Sequence, residues 1–324
     1  MNNQNLNIQT YSPLRLKVLK REELRLLSEK KFYITFTDIL LNYLQIALAL
    51  ILVHISEQKL IFSIFGIFIV GISQYSLMVI GHDGLHRNFI KNIKKNDILN
   101  DILILGMFGS ACRVNRNNHS EHHKFSSTDH DPDRYKYLHQ NKETLIKYFI
   151  FLSGFSNFLK TIKNVYLNKE VKIKENNQNL KLNNREIIVI LSWQLFLFAS
   201  LTYYFGLFGY FFYWFLPLYI FAYRADLSRV FCEHNEINNN ETENDENYRL
   251  ITYPNPNALE KLLFCPNNMN FHAEHHLFPQ IPYYNLKLAH NLVKNNGGYT
   301  DKLHLRKSYF GYIFGYIKKI NAKD

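Results

Sequence analysis

Four long apolar runs constrain the fold of this chain more than any other feature. Each run has about 16–21 residues, which is close to the length of an α-helix that crosses the apolar core of a bilayer. They form two pairs, 36–53 with 60–80 and 187–205 with 208–223. The mean hydropathy of −0.21 conceals them, because very polar stretches such as 233–248 lower the average. The sequence therefore predicts an integral membrane protein with four transmembrane helices.

Short links and flanking charges predict the topology. The links 54–59 and 206–207 are so short that each pair of spans forms a hairpin and returns to the side it left. The N-terminal segment, the long middle segment and the C-terminal tail are rich in lysine and arginine, so the positive-inside rule places all three in the cytoplasm. We expect one all-α domain over 1–324, with both termini cytoplasmic and a helical cytosolic cap built from 81–186 and 224–324.

Two shorter apolar stretches, 98–111 and 146–158, are interrupted or flanked by polar residues. Their length suits interfacial or re-entrant helices better than spans. The polar first twelve residues do not resemble a cleavable signal peptide, so the first span is expected to direct membrane insertion.

The net charge of +11 is not accompanied by a nucleic-acid-binding motif. We attribute it to the positive-inside bias and to attraction toward anionic lipid headgroups, and we expect no nucleic-acid partner. The three cysteines lack metal-binding CxxC spacing and are odd in number. They indicate a reducing compartment without disulfides.

Clustered histidines predict a metal centre. An HxxHH motif occurs twice and an HxxxH motif once: His82 with His86, His119 with His122 and His123, and His272 with His275 and His276. Residues three and four apart share a helix face, so each cluster should direct its imidazoles toward a common point. Imidazole binds iron, zinc, copper or nickel, so the ligand type leaves the metal open. Eight histidines exceed the capacity of one ion, which predicts two ions.

Residues outside the three clusters extend this prediction. His234 follows the fourth span on the ligand-bearing side and is predicted to be a ninth ligand. Carboxylates commonly accept the remaining N–H of a metal-bound imidazole. The candidates for this role are Asp83, Asp129, Asp131 and Asp133, although Asp83 also suits a plain helix surface and the Asp-Pro sequence at 131–132 suits a turn. No ligand role is expected for His54, His130, His139, His290 and His304, and His54 should lie across the membrane from the clusters.

The motifs GHDGLH, HSEHH and HAEHHLFPQIPYYNL, with RVFCEH before the last, resemble the membrane fatty acid desaturase and hydroxylase superfamily. The resemblance runs from the first span to about Val293. It implies four transmembrane helices under a cytosolic cap, two iron ions held by histidines, and dioxygen-dependent attack on an unactivated C–H bond. It also matches His234 to an extra histidine that many members carry. Zinc is redox-inert and would not perform such chemistry.

Three functions compete on this sequence. The leading hypothesis is an oxidoreductase that introduces a double bond into a lipid acyl chain. The alternative is a carotenoid or hydrocarbon hydroxylase or ketolase on the same scaffold. A metal transporter is less favoured, because few ionisable groups lie within the spans.

Electrons must come from a separate donor, since the chain has no cysteine cluster for an iron–sulfur centre. A ferredoxin, or a small cytochrome with its reductase, would serve. The basic cap favours an acidic docking partner.

Overall fold

The structure, a computed structural model, describes residues 18–126, 131–137, 144–155, 159, 181–234, 251–297 and 304–321. Helices dominate these ranges, as the sequence predicts. Two strands of two residues each, β1 (Ile251–Thr252) and β2 (His304–Leu305), pair in parallel and depart from a purely helical fold.

The described residues form twelve α-helices. In chain order they are α1 (Arg21–Leu27), α2 (Phe32–Ile55), α3 (Leu60–Leu85), α4 (Ile93–Leu103), α5 (Cys112–Phe125), α6 (Leu145–Ser153), α7 (Asn184–Phe205), α8 (Arg224–His234), α9 (Ala258–Phe264), α10 (His272–Leu277), α11 (Leu286–Asn295) and α12 (Tyr309–Asn321). Short 3₁₀ turns lie at Leu105–Phe108, Arg134–Lys136, Pro266–Asn268 and Tyr283–Asn285.

Three helices are long and apolar enough to cross a membrane: α2, α3 and α7, with 24, 26 and 22 residues. They contain the first three predicted spans, 36–53, 60–80 and 187–205, and extend beyond them. A turn at 56–59 joins α2 to α3, so these two helices form the predicted hairpin. A capping box between Asn183 and Glu186 begins α7, because each residue's side chain bonds the other's backbone N–H.

The fourth predicted span, 208–223, is helical but irregular. Two π-helical segments, Phe211–Phe215 and Leu218–Tyr223, occupy most of it and lead directly into α8. Pro217, which has no backbone N–H to donate, lies between them. Among the described residues only α2, α3 and α7 have the length and composition of a span. The count of four spans therefore stays a prediction.

Buried amides fix α4 against the end of α3. Asn96 and Asn100 on α4 donate to the backbone oxygens of Gly84 and Gly81 at 2.9 and 2.8 Å. Asp101 accepts from the backbone N–H of Cys112 at 2.6 Å, which ties down the first residue of α5. The polar residues that interrupt the apolar stretch 98–111 thus hold α3, α4 and α5 together.

Packing around the irregular fourth segment generates a stability prediction. A Cβ atom on Gly71 of α3 would lie 2.6 Å from Phe221 Cβ. Gly71→Ala should therefore lower the free energy of unfolding by about 1–3 kcal/mol, because overpacking forces the helices apart. Gly315→Ala on α12 is the matched control. Its Cβ would meet nothing within 4 Å, so the variant should be neutral or up to about 1 kcal/mol more stable. Equal unfolding transitions in detergent would contradict this packing.

Candidate metal centre

Four helices bring the predicted ligands to one place. The clusters lie at the end of α3, along α5 and in the short helix α10, while His234 is the last residue of α8. α10 ends at Leu277, as expected from the prolines that follow. The nine predicted ligands therefore converge from segments that are far apart in sequence.

Eight of the nine imidazoles form two groups. Site A contains His82, His86, His119, His123 and His275, and site B contains His122, His234 and His276. Within each group the nearest ligand atoms all lie within 4.8 Å of one another. The two sites adjoin, because the rings of His123 and His276 stack with centroids 4.1 Å apart. Two adjacent groups agree with the expectation of two ions.

His272 belongs to neither group by this criterion but lies beside site B. Its Nε2 atom is 2.7 Å from Nε2 of His234. Neighbouring nitrogen ligands about 2.0–2.1 Å from one ion are themselves roughly 3 Å apart. The position of His272 therefore suits a fourth ligand of site B.

Each HxxHH motif serves both sites, which corrects the expectation that each cluster faces a common point. On α5, His119 and His123 join site A while His122 joins site B. On α10, His275 joins site A and His276 joins site B. Consecutive helical residues point about 100° apart, so an adjacent histidine pair can face two ions at once.

Burial keeps six of the imidazoles neutral, and several imidazole nitrogens have no hydrogen-bond partner among the described residues. Burial lowers the pKa of His119, His123, His234, His272, His275 and His276 well below the usual value. Among the described residues, no hydrogen-bond partner reaches His82 Nδ1, His275 Nε2 or either nitrogen of His123. Buried polar atoms without partners are unfavourable. Neutral imidazoles with free lone pairs are the donors that a transition-metal ion requires, so these residues fit a two-metal centre.

Asp131 is the aspartate that contacts a predicted ligand. His122 Nδ1 lies 2.9 and 3.1 Å from the two carboxylate oxygens of Asp131, and Tyr137 donates its hydroxyl to the same carboxylate. Asp133 bonds Lys136 at 3.0 Å instead. Asp129, His130 and His139 lie outside the described residues.

Asp83 does not accept from an imidazole, contrary to its candidate role. Its Oδ1 atom accepts from Asn88 Nδ2 at 2.8 Å, and Asn88 also donates to the backbone oxygen of Pro279 at 2.9 Å. Through Asn88, the Asp83 side chain is linked to the loop after α10. Its role in the structure is to join α3 to the segment that follows the third cluster.

Glu233 is a carboxylate that the sequence reasoning missed. Its Oε2 atom lies 3.3 Å from His272 Nδ1 and 2.5 Å from Arg229 NH1. Arg229 also lies 3.3 Å from His272 Nδ1, but both atoms would be donors when Nε2 faces a metal. The carboxylate is therefore the true partner of His272. The Arg229–Glu233 spacing of four residues on α8 was the available signal.

Glu274, inside the third cluster, was also missed. It is fully buried and accepts from His290 Nδ1 at 2.6 Å and from Thr252 Oγ1 at 2.5 Å. His290 thus lies outside both sites, as expected, yet it is buried and fastens α10 to α11. The two missed glutamates therefore differ in their contacts. Glu233 contacts a predicted metal ligand, His272, whereas Glu274 anchors α10.

Two further histidines among the described residues, His54 and His304, are in neither group. His54 lies in the last turn of α2, at the opposite end of the hairpin from His82, with its ring edge toward Tyr204 and Phe205. His304 lies in β2. The three cysteines are buried and free.

A cavity of about 350 Å³ opens beside the histidines. Members of both sites line it, including His82, His119 and His122. Its remaining walls combine apolar side chains with a polar part: Tyr75, Met78, Val79, Leu85, Leu105, Phe108, Val230 and Met269, then Ser110, Asn115, Asp133, Lys136, Asp226 and Arg229. The cavity offers a partly apolar molecule direct access to both sites.

The sequence was compared with models of known protein families and with curated proteins. The sequence model of the family described as "Fatty acid desaturase" matches residues 60–307. That region contains all nine histidines of the candidate centre. No curated protein matches the chain.

The contact between Asp131 and His122 predicts a selective effect on metal binding. Asp131→Asn should lower the affinity of site B for its ion by about 10–100-fold, because the carboxylate orients the imidazole and raises its basicity. Asp133→Asn is the matched control, since Asp133 pairs with Lys136. Metal content and chelator competition measure the effect. Equal retention in both variants would show that Asp131 does not support His122.

Proposed function

Because the chain belongs to the fatty acid desaturase family, we propose that it is a dioxygen-dependent desaturase that introduces a double bond into the acyl chain of a lipid. One observation carries the proposal. The two histidine groups are in ring contact, and members of both line a cavity whose wall is largely apolar. A reactive centre and a hydrocarbon chain could therefore meet at this place.

We propose that two iron ions occupy the centre. Site A would hold one with His82, His86, His119, His123 and His275, and site B the other with His122, His234, His272 and His276. When bound, the irons with dioxygen supply the oxidising power that amino-acid side chains lack, which is needed to remove hydrogen from an unactivated C–H bond.

The protein's own residues would position the chain and exclude water. Val79 and Leu105 give the cavity apolar surface close to His82, so hydrocarbon is favoured there over water. Asn115 and Lys136 provide a polar part of the wall that suits the polar end of a lipid. The carboxylates of Asp131 and Glu233 would keep the Nδ1 proton on His122 and His272, leaving Nε2 to face site B.

The membrane arrangement follows from the same proposal. We propose that the irregular segment 208–223 is the fourth span and that it pairs with α7 as the second hairpin. The histidine-bearing end of α3 and both termini would then face the cytoplasm, in agreement with the positive flanking charges. A lipid could enter the cavity from the cytoplasmic leaflet.

An electron donor must act with this enzyme. The three cysteines are buried and separate from both sites, so the described part of the chain provides no iron–sulfur cluster. We propose a separate ferredoxin, or a small cytochrome with its reductase, that approaches the basic cytoplasmic surface.

Lipid analysis of a host that expresses the chain tests the proposed reaction. We expect a new double bond in membrane acyl chains, and we expect His122→Ala and His276→Ala to abolish it because each removes a site B ligand. His54→Ala is the control and should retain the product, since His54 lies at the other end of the hairpin. Unchanged acyl chains together with oxygenated carotenoids or hydrocarbons would favour the hydroxylase or ketolase instead.

A second cavity leads to a prediction about the length of the acyl chain that the enzyme accepts. It has a volume of about 670 Å³, lies between α2 and α7, and is lined by Trp193 and Trp214. The larger volume does not make it the reaction site, because it touches none of the nine histidines. The rings of Phe108 and Trp214 stack at 6.0 Å and separate it from the smaller cavity.

Phe108→Ala should join the two cavities and shift the products toward longer acyl chains, because the ring that ends the smaller cavity is removed. Gas chromatography of the fatty acids would measure the change in chain-length distribution. Trp193→Phe is the control, since Trp193 lines the larger cavity without forming the wall. An unaltered distribution in Phe108→Ala, with activity retained, would mean that Phe108 does not limit the chain.

A further inference from the structure

We propose that Tyr309, the first residue of the C-terminal helix α12, is a positioning residue for site B. It holds Glu233 in the orientation that supports His272. This inference rests on the proposed metal centre. It extends that centre to a helix outside the family match, which ends at residue 307.

The contacts form a continuous buried chain from α12 to site B. The Tyr309 hydroxyl donates to Glu233 Oε1 at 2.8 Å. The other oxygen, Oε2, lies 3.3 Å from His272 Nδ1, and His272 Nε2 lies 2.7 Å from His234 Nε2. Tyr309 and Glu233 are both fully buried, so water does not replace the tyrosine hydroxyl.

Ring packing fixes the direction of the Tyr309 hydroxyl. Its ring stacks on Tyr253 with centroids 3.7 Å apart and packs against Phe264 at 5.4 Å. The Tyr253 hydroxyl in turn donates to the backbone oxygen of Cys232, which is the residue before Glu233. These contacts use the faces of the Tyr309 ring, so a phenylalanine at this position preserves them and removes only the hydroxyl.

Competition from Arg229 explains why Glu233 needs a second donor. Arg229 NH1 binds Glu233 Oε2 at 2.5 Å, the same oxygen that His272 uses. Without Tyr309, Glu233 Oε1 would lose its donor and the carboxylate could turn further toward the guanidinium, whose NH2 also binds Asp226 at 2.9 Å. His272 would then lose its acceptor. The hydroxyl of Tyr309 opposes that rotation by holding Oε1 on the far side.

The test is Tyr309→Phe in the full-length protein in detergent, loaded with two irons per chain. We expect a chelator to remove one of the two irons about tenfold faster than from the wild type, at the lower end of the usual effect of a residue behind a metal ligand. The second iron should leave at the wild-type rate, because site A has no contact with Glu233. The thermal unfolding transition should change little.

Tyr316→Phe is the matched control on the same helix. Its ring packs against Tyr148 and Phe231 rather than Glu233, so iron release should match the wild type. In a His272→Ala background, Tyr309→Phe should cause no further loss of iron, since Tyr309 acts through His272.

Three results would overturn the inference. Wild-type release of both irons from Tyr309→Phe would show that the hydroxyl does not support site B. Faster release of both irons, with a lowered unfolding temperature, would indicate a general role in packing. A wild-type protein that binds no iron would overturn the proposed metal centre itself, and the inference with it.

Discussion

Burial of imidazole nitrogens in the two histidine groups is the constraint on which the rest of the structure depends. Neutral histidine side chains are polar, and several nitrogens in site A have no hydrogen-bond partner among the described residues. Such an arrangement is unfavourable in a protein interior unless a ligand compensates. The proposed metal ions would do so, and the contribution of metal binding to folding would then be large. The centre and the cap would form together.

Three buried carboxylates around the imidazoles differ in what they contact. Asp131 and Glu233 contact predicted ligands of site B, whereas Glu274 fastens α10 to its neighbours. Each carboxylate has a second donor besides histidine, such as Tyr137 for Asp131 and Thr252 for Glu274. A carboxylate held by two donors keeps its imidazole in one orientation. This orientation is important because a metal site tolerates little error in ligand position.

In the proposed membrane arrangement, the spanning helices would place this centre beside hydrocarbon. α3 is at once the second predicted span and the helix that carries His82, so one rigid element joins the bilayer to site A. Asn96 and Asn100 lock α4 onto the end of α3, and Asp101 positions α5. These polar residues thereby hold α5, with the second histidine cluster, against the end of α3, which carries the first.

The sequence by itself determined the helical class, three helices long enough to span a membrane and the nine histidines that come together, because apolar length and the spacing of residues along a helix are local properties. It did not reveal how the ligands divide, since an adjacent pair such as His275 and His276 separates between two sites only when four helices surround them. It suggested Asp83 as a partner, but Asn88 holds that side chain. Glu233, Glu274 and Tyr309 gained their roles from contacts between distant segments. Only the tertiary structure decides such contacts, because no local pattern encodes which buried donor meets which acceptor.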